Sequence, residues 1–125
     1  MSETRLVRPD QRRRQTTQTP GMDREEAIRT DAMWAGIAVT AGRTFSGWHH
    51  HGAYESVIYL LRGRLRLEYG PSGTSSFEAE PGDTVYVAPG EIHREGNPDS
   101  DTSELFVVRG GSGEIVINVD GPANA

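Results

Sequence analysis

The stretch Trp48-His49-His50-His51-Gly52-Ala53-Tyr54-Glu55 decides how this chain is read. The protein has four histidines in 125 residues, and three of them stand here in a row. In an extended strand side chains alternate between two faces. His49 and His51 therefore share a face with Phe45 and Gly47, while His50 points the other way. The roots of His49 and His51 lie roughly 7 Å apart by strand rise, close enough for two imidazoles to converge on one ion. Glu55 has the same parity and can add a carboxylate if the chain bends at Gly52-Ala53. The fourth histidine, His93, follows the turn Pro89-Gly90 and completes a set of three imidazoles and one carboxylate. That donor set suits one divalent transition metal per chain (Fe, Mn, Ni, Zn or Cu) better than Ca or Mg. It also leaves positions open for water, substrate or dioxygen. A structural zinc more often uses cysteines and a closed shell.

Working outward, the text around these residues is β-rich. Arg64 to Tyr69 alternates most clearly, with Leu65, Leu67 and Tyr69 on one face and Arg64, Arg66 and Glu68 on the other. Glu55 to Leu61 places Glu55, Val57, Tyr59 and Leu61 together, and we expect that face to point inward. Val85 and Val87, then Leu105, Val107 and Arg109, mark two further strands. About eight short strands, spaced near ten residues and separated by turns rich in Gly (15) and Pro (7), indicate an antiparallel sandwich or barrel. Asp23-Arg24-Glu25-Glu26 carries a helix-start pattern, although an extended segment fits almost as well.

Composition bounds the rest. The hydrophobic fraction is 34% and the mean hydropathy is −0.59. One domain is expected, with a polar arm at 1–18 that is either disordered or laid on a partner subunit, a β domain over 19–120, and a frayed tail at 121–125. With no cysteine, a disulfide scaffold and a thiolate site are excluded, and a cytoplasmic location is expected. No run of 18 apolar residues is present, so no membrane span is expected. All 13 basic residues are arginine. Six of them fall within residues 1–24 against only three acids, and the remaining body carries −8 within a total of −5. An acidic body argues against nucleic acid as a partner.

Two stretches resemble the cupin family. The first has Gly42, His49-His50-His51, Glu55 and Gly63, with the gaps before His49 and after Glu55 each one residue longer than the common form. The second has Pro81-Gly82-Asp83, Thr84-Val85-Tyr86-Val87, Ala88-Pro89-Gly90, His93 and Asn97, with Ala88 where the pattern's first proline usually stands. The resemblance covers about residues 36–119. It implies a small jelly-roll β-barrel with His49, His51, Glu55 and His93 as metal ligands, and a homodimer. Phe45, Tyr59 and Arg109 are the candidate substrate contacts. Glu95, two residues after His93, is a second carboxylate and a candidate acid or base if it lies near the metal, with its parity leaving its direction open. The function expected is a mononuclear metal enzyme acting on a small organic molecule, with an oxygen-dependent dioxygenase preferred. The alternatives are redox-neutral lyase, decarboxylase, isomerase or cyclase chemistry, and a non-catalytic binding module.

Overall fold

The fold is described from a computed structural model, over residues 3–15, 21–112 and 116–124. A 3-10 turn at Pro9–Gln11 precedes strands β1 (Arg13–Gln15), β2 (Met22–Arg29), β3 (Met33–Thr40), β4 (His49–His50) and β5 (Glu55–Arg62). Then follow β6 (Leu65–Tyr69), β7 (Ser75–Ala79), β8 (Thr84–Val87), β9 (His93–Gly96), β10 (Ser103–Gly110) and β11 (Ile117–Asn118). Two antiparallel sheets result, ordered β1-β2-β3-β10-β5-β8 and β11-β4-β9-β6-β7. The architecture is the antiparallel jelly-roll barrel that the sequence implied. No helix among the described residues is long and apolar enough to cross a membrane.

The core lies between the two sheets and draws on both. Ile58, Leu60, Val85, Leu105 and Val107 come from one, and Leu65, Leu67 and Ala79 from the other. Burying a side chain as completely as Leu60, 1% exposed, contributes about 1.5–3 kcal/mol. Trp34, near the start of β3, lies within this core at 1% exposure. Gly36 makes that possible, because a Cβ there would fall 2.8 Å from the Trp34 ring and 2.3 Å from the Glu25 carbonyl oxygen.

The phase of β5 is opposite to the expected one. Ser56, Ile58 and Leu60 point inward, while Glu55, Val57, Tyr59 and Leu61 are exposed. Apolar side chains occupy both parities of this strand, so alternation alone does not choose between them. The strand buries its purely aliphatic pair and leaves the carboxylate and phenol in water, where neither has to lose its hydration. On the outer surface the Tyr86 hydroxyl donates to Glu55 at 2.9 Å.

The N-terminal segments also depart from expectation. Residues 22–29 form strand, not helix, paired along β3 from Met22↔Thr40 to Arg29↔Trp34 with a bulge between Glu26 and Ile28. Part of the arm joins the chain's own sheet, since β1 pairs with β2 in the register Arg13↔Glu26, Arg14↔Glu25, Gln15↔Arg24. Charge fixes this edge: Arg12 meets Glu25 at 2.9 Å and Arg14 meets Asp23 at 2.7 Å. Residues 16–20, at the boundary between arm and domain, lie outside the described residues. So do residues 113–115; beyond them Ile117–Asn118 is paired to β4. The tail, expected to fray, is tied down through Ala123, whose carbonyl accepts from Ser72 N–H at 2.8 Å.

Between β9 and β10 the turn is held by Asn97, which is fully buried. Its Nδ2 donates to the carbonyls of Thr40 (3.2 Å) and Asp101 (2.6 Å), and its Oδ1 accepts from Asp99 N–H (3.0 Å). One side chain thereby satisfies three backbone groups and anchors the strand that carries His93.

Candidate metal centre

His49, His51, His93 and Glu95 converge, each buried, with one donor atom apiece all within 4.8 Å of one another. The convergence follows from register. His49 on β4 and His93 on β9 are direct cross-strand partners, and Glu95 lies two residues beyond His93 on the same face. His51 has the parity of His49 just past the end of β4. The ring centroids are 4.4 Å apart for His49–His93 and 5.0 Å for His51 with each of the other two.

Two of the imidazoles are oriented by backbone. His49 Nδ1 lies 3.0 Å from the Gly47 carbonyl and His93 Nδ1 lies 2.8 Å from the Glu91 carbonyl. A carbonyl can only accept, so Nδ1 carries the proton and Nε2 keeps its lone pair. Both Nε2 atoms point into the group, buried and without a hydrogen-bond partner. They stand 3.5 and 3.3 Å from Glu95 Oε1. Buried polar atoms are rarely left unmatched. Imidazoles fixed through Nδ1 with Nε2 turned toward a carboxylate are what a metal of borderline softness requires. Donors around an ion at about 2.1 Å sit no more than ~4.2 Å apart, so closure asks only small movements. The residues present fit a transition metal.

Electrostatics agree with this donor set. Burial alone would raise the Glu95 carboxyl, but His49 and His93 hold it well below the usual carboxylate range. Burial would lower His93, and the Glu95 carboxylate and the Glu91 carbonyl outweigh it and raise the imidazole.

Glu55, the expected carboxylate ligand, is not in the group. It is exposed on the outer face of β5 in its bond to Tyr86, and Ser56 holds the inward position. The Ser56 side chain is 2% exposed and its hydroxyl has no partner. The carboxylate comes instead from Glu95. Its signal was present in His93-Arg94-Glu95, the same one-residue spacing that joins His49 and His51. His50 faces away, its Nδ1 accepting from Gly52 N–H at 3.0 Å.

Of the expected substrate contacts, only Arg109 faces inward, at 4% exposure. Tyr59 is 43% exposed on the outer face. Phe45, 39% exposed, is bridged to Gly96 and covers it so closely that a Cβ there would meet the ring at 2.5 Å. Arg24, which the sequence reading left unassigned, lines an interior cavity with Arg109 and Glu95.

Similar solved structures include the polyketide cyclase RemF from Streptomyces resistomycificus, with a TM-score of 0.77 and 21% identity over 94% of this chain and 87% of that one. KdgF from a Halomonas species gives a TM-score of 0.73 and 16% identity, over 87% and 96%. An RmlC-like cupin from Shewanella frigidimarina gives 0.72 and 15%, over 88% and 93%. At these identities the likeness is one of fold. Among curated proteins no sequence match was found. Residues 37–109, more than half of the chain and spanning His49, His51, Glu95 and His93, match the family described as the cupin domain, and the chain belongs to that family.

Proposed function

We propose that this protein is a mononuclear metal-dependent enzyme acting on a small organic molecule, with oxygen-dependent dioxygenase chemistry as the leading form. The observation that carries the reading is the buried group of His49, His51, His93 and Glu95, with two Nε2 atoms matched by no hydrogen bond. These four residues would hold the ion, which when bound supplies Lewis acidity and a template for substrate and dioxygen. The chain's own contribution is orientation and exclusion of water. The carbonyls of Gly47 and Glu91 fix two rings, and the aliphatic interior keeps bulk solvent from the donors.

A redox-neutral reaction, in which only an enolate is stabilised, is favoured by one observation: Arg109 is a fixed interior cation able to take up developing negative charge. One experiment separates the readings. Protein loaded with each candidate metal is incubated with enolisable and catecholic compounds while oxygen and substrate are followed together. Oxygen uptake that matches substrate loss and vanishes in His93→Ala is the expected result. Substrate loss without oxygen uptake selects the redox-neutral form, and saturable binding without turnover selects a binding module. Absence of stoichiometric metal from native and reconstituted protein alike overturns the reading altogether.

We also propose a homodimer formed through the outer face of the six-stranded sheet. Val57, Tyr59, Leu61, Tyr86 and Phe106 lie exposed there on three adjoining strands, with Phe106 paired to Tyr59 and Val57 to Tyr86. So many large apolar side chains on one sheet face mark an association surface. Sedimentation equilibrium should give twice the chain mass for the parent and a monomer for Phe106→Glu. A parent that is monomeric at high micromolar concentration removes the proposal.

A further inference from the structure

Above the metal donors the opposite sheet presents polar atoms of its own, and they are cationic. Arg109, near the end of β10, is almost completely buried, and its Nε and Nη1 have no hydrogen-bond partner. Its guanidinium carbon lies 5.2 Å from the Trp34 ring centroid, which supports one face of the cation and offers no acceptor in its plane. Ser56 is its cross-strand partner on β5, on the same face, and the Ser56 hydroxyl is likewise buried and unmatched. Arg24 enters from β2, which pairs Arg24 with Ala38, and it shares the interior cavity with Arg109.

The lining carries two arginines and two acids, and Glu95 eases the burial of both arginines, but each acid also has another partner. Arg24 and Arg109 face it from two strands. Asp23 at its edge is engaged by Arg14 at 2.7 Å. Glu95, the remaining acid, lies against His49 and His93. Each arginine makes the other harder to bury, and burial with the neighbouring Arg24 brings the Arg109 guanidinium down to about 9, still a cation at neutral pH. A buried cation with unmatched donors, beside a second and half-buried one, is costly unless an anion arrives. The rest of the lining is aliphatic, including Ile58, Leu65, Leu105 and Val107.

We propose that Arg109, with Ser56 and Arg24, forms a carboxylate-binding site facing the metal donors across the barrel, in a cavity of about 20 Å³ that admits the carboxylate of a short organic acid. The unmatched Nε–H and Nη1–H of the guanidinium offer donors to carboxylate oxygen, and the Ser56 hydroxyl adds a third. Of the metal donors Glu95 lines the same cavity, so a short acid held by Arg109 lies toward it. This deepens the metal-enzyme reading and rests on it for taking that acid as substrate, but the anion site itself requires no metal.

The test is therefore a binding measurement on the full chain, metal-free and metal-loaded, by titration calorimetry with formate and acetate. Methyl acetate and inorganic phosphate serve as contrasts, and metal content is determined for every sample. Expected is saturable binding of both acids to metal-free protein, none for the ester, and weaker binding of phosphate. A loss of at least about tenfold is expected for the acids in Arg109→Gln, with a smaller loss in Arg24→Gln and metal content unchanged in both. Arg109→Lys keeps the charge and loses the separately placed N–H donors, and should restore only part of the affinity. Should Arg109→Gln fail to fold, the Arg24→Gln and Ser56→Ala variants carry the comparison. Acid and ester binding alike, or affinity for the acids indifferent to all of these substitutions, overturns the proposal. So does an absence of binding at millimolar acid. Metal content tells this failure from the other: carboxylate binding without stoichiometric metal retains the anion site and removes the enzyme reading, and metal without carboxylate binding does the reverse.

Discussion

Glu95→Ala is expected to bind the divalent metal at least ~10–100-fold more weakly than the parent, while Glu55→Ala binds it unchanged. The range is that for loss of a ligand's supporting partner, and loss of a ligand itself should not cost less. The two carboxylates are separated by their environments. Glu95 is buried within reach of His49 and His93, and Glu55 is in solvent under Tyr86. Competition against a chelator of known affinity, with total metal measured, reads the difference directly. The pH dependence should run the same way. Glu95 is held ionised to well below the usual range, so it is a ready ligand throughout neutral pH. His93, raised by Glu95 and the Glu91 carbonyl over the opposing effect of burial, keeps its proton to higher pH than an ordinary histidine. A proton and a metal compete for its Nε2, so affinity should fall as pH drops through a range above the usual His value of about 6.5. Metal loss in Glu55→Ala with retention in Glu95→Ala would mean that β5 is turned over.

The largest stability effect is expected at Trp34. Trp34→Ala should cost about 3–5 kcal/mol, the range for emptying a buried aromatic site. The indole is 1% exposed, fills the space left over Gly36, supports Arg109, and donates its Nε1–H to Glu26 at 3.0 Å. Removing it opens a cavity and leaves the Glu26 carboxylate short of a donor. Trp48 is the control, since its ring lies against Arg94 (4.8 Å to the guanidinium carbon), outside the core cluster, and Trp48→Ala should cost much less. Urea denaturation of both variants checks the contrast, and a loss under 1 kcal/mol for Trp34→Ala would remove the indole from the core.

What could be read in advance depended on whether one physical signal was enough. The alternation of Leu65-Arg66-Leu67 leaves one apolar parity, and that strand stands in the structure with Leu65 and Leu67 inside. The pairing of His49 with His51 needed only the period of a strand. β5 failed because Val57, Tyr59 and Leu61 are as apolar as Ile58 and Leu60, so a shift of one residue costs little in the sequence and exchanges Glu55 for Ser56 at the interior. β2 failed for another reason. Its Asp23 to Glu26 spacing mimics a helix start, and only the pairing to β3 and β1 overrides that local preference. That pairing is held at its edge by Arg12–Glu25 and Arg14–Asp23, contacts that hydrophobic periodicity does not report.

The exchange of Glu55 for Glu95 also redistributes work between the two halves of the barrel. Three of the four metal donors lie on strands of the five-stranded sheet, and His51 directly follows its strand β4. Arg24, Ser56 and Arg109 all belong to the six-stranded one. The coordination distances are therefore set within a single hydrogen-bonded layer, and the span from metal to cation is set by how far apart the layers stand. That span can be adjusted by repacking the aliphatic filling, through residues such as Leu65 or Val107, while the ligand geometry stays as it is. Under the proposed carboxylate site, acids of different length would become accessible to one unaltered set of metal donors, in the way a vice accepts work of different thickness without changing its jaws.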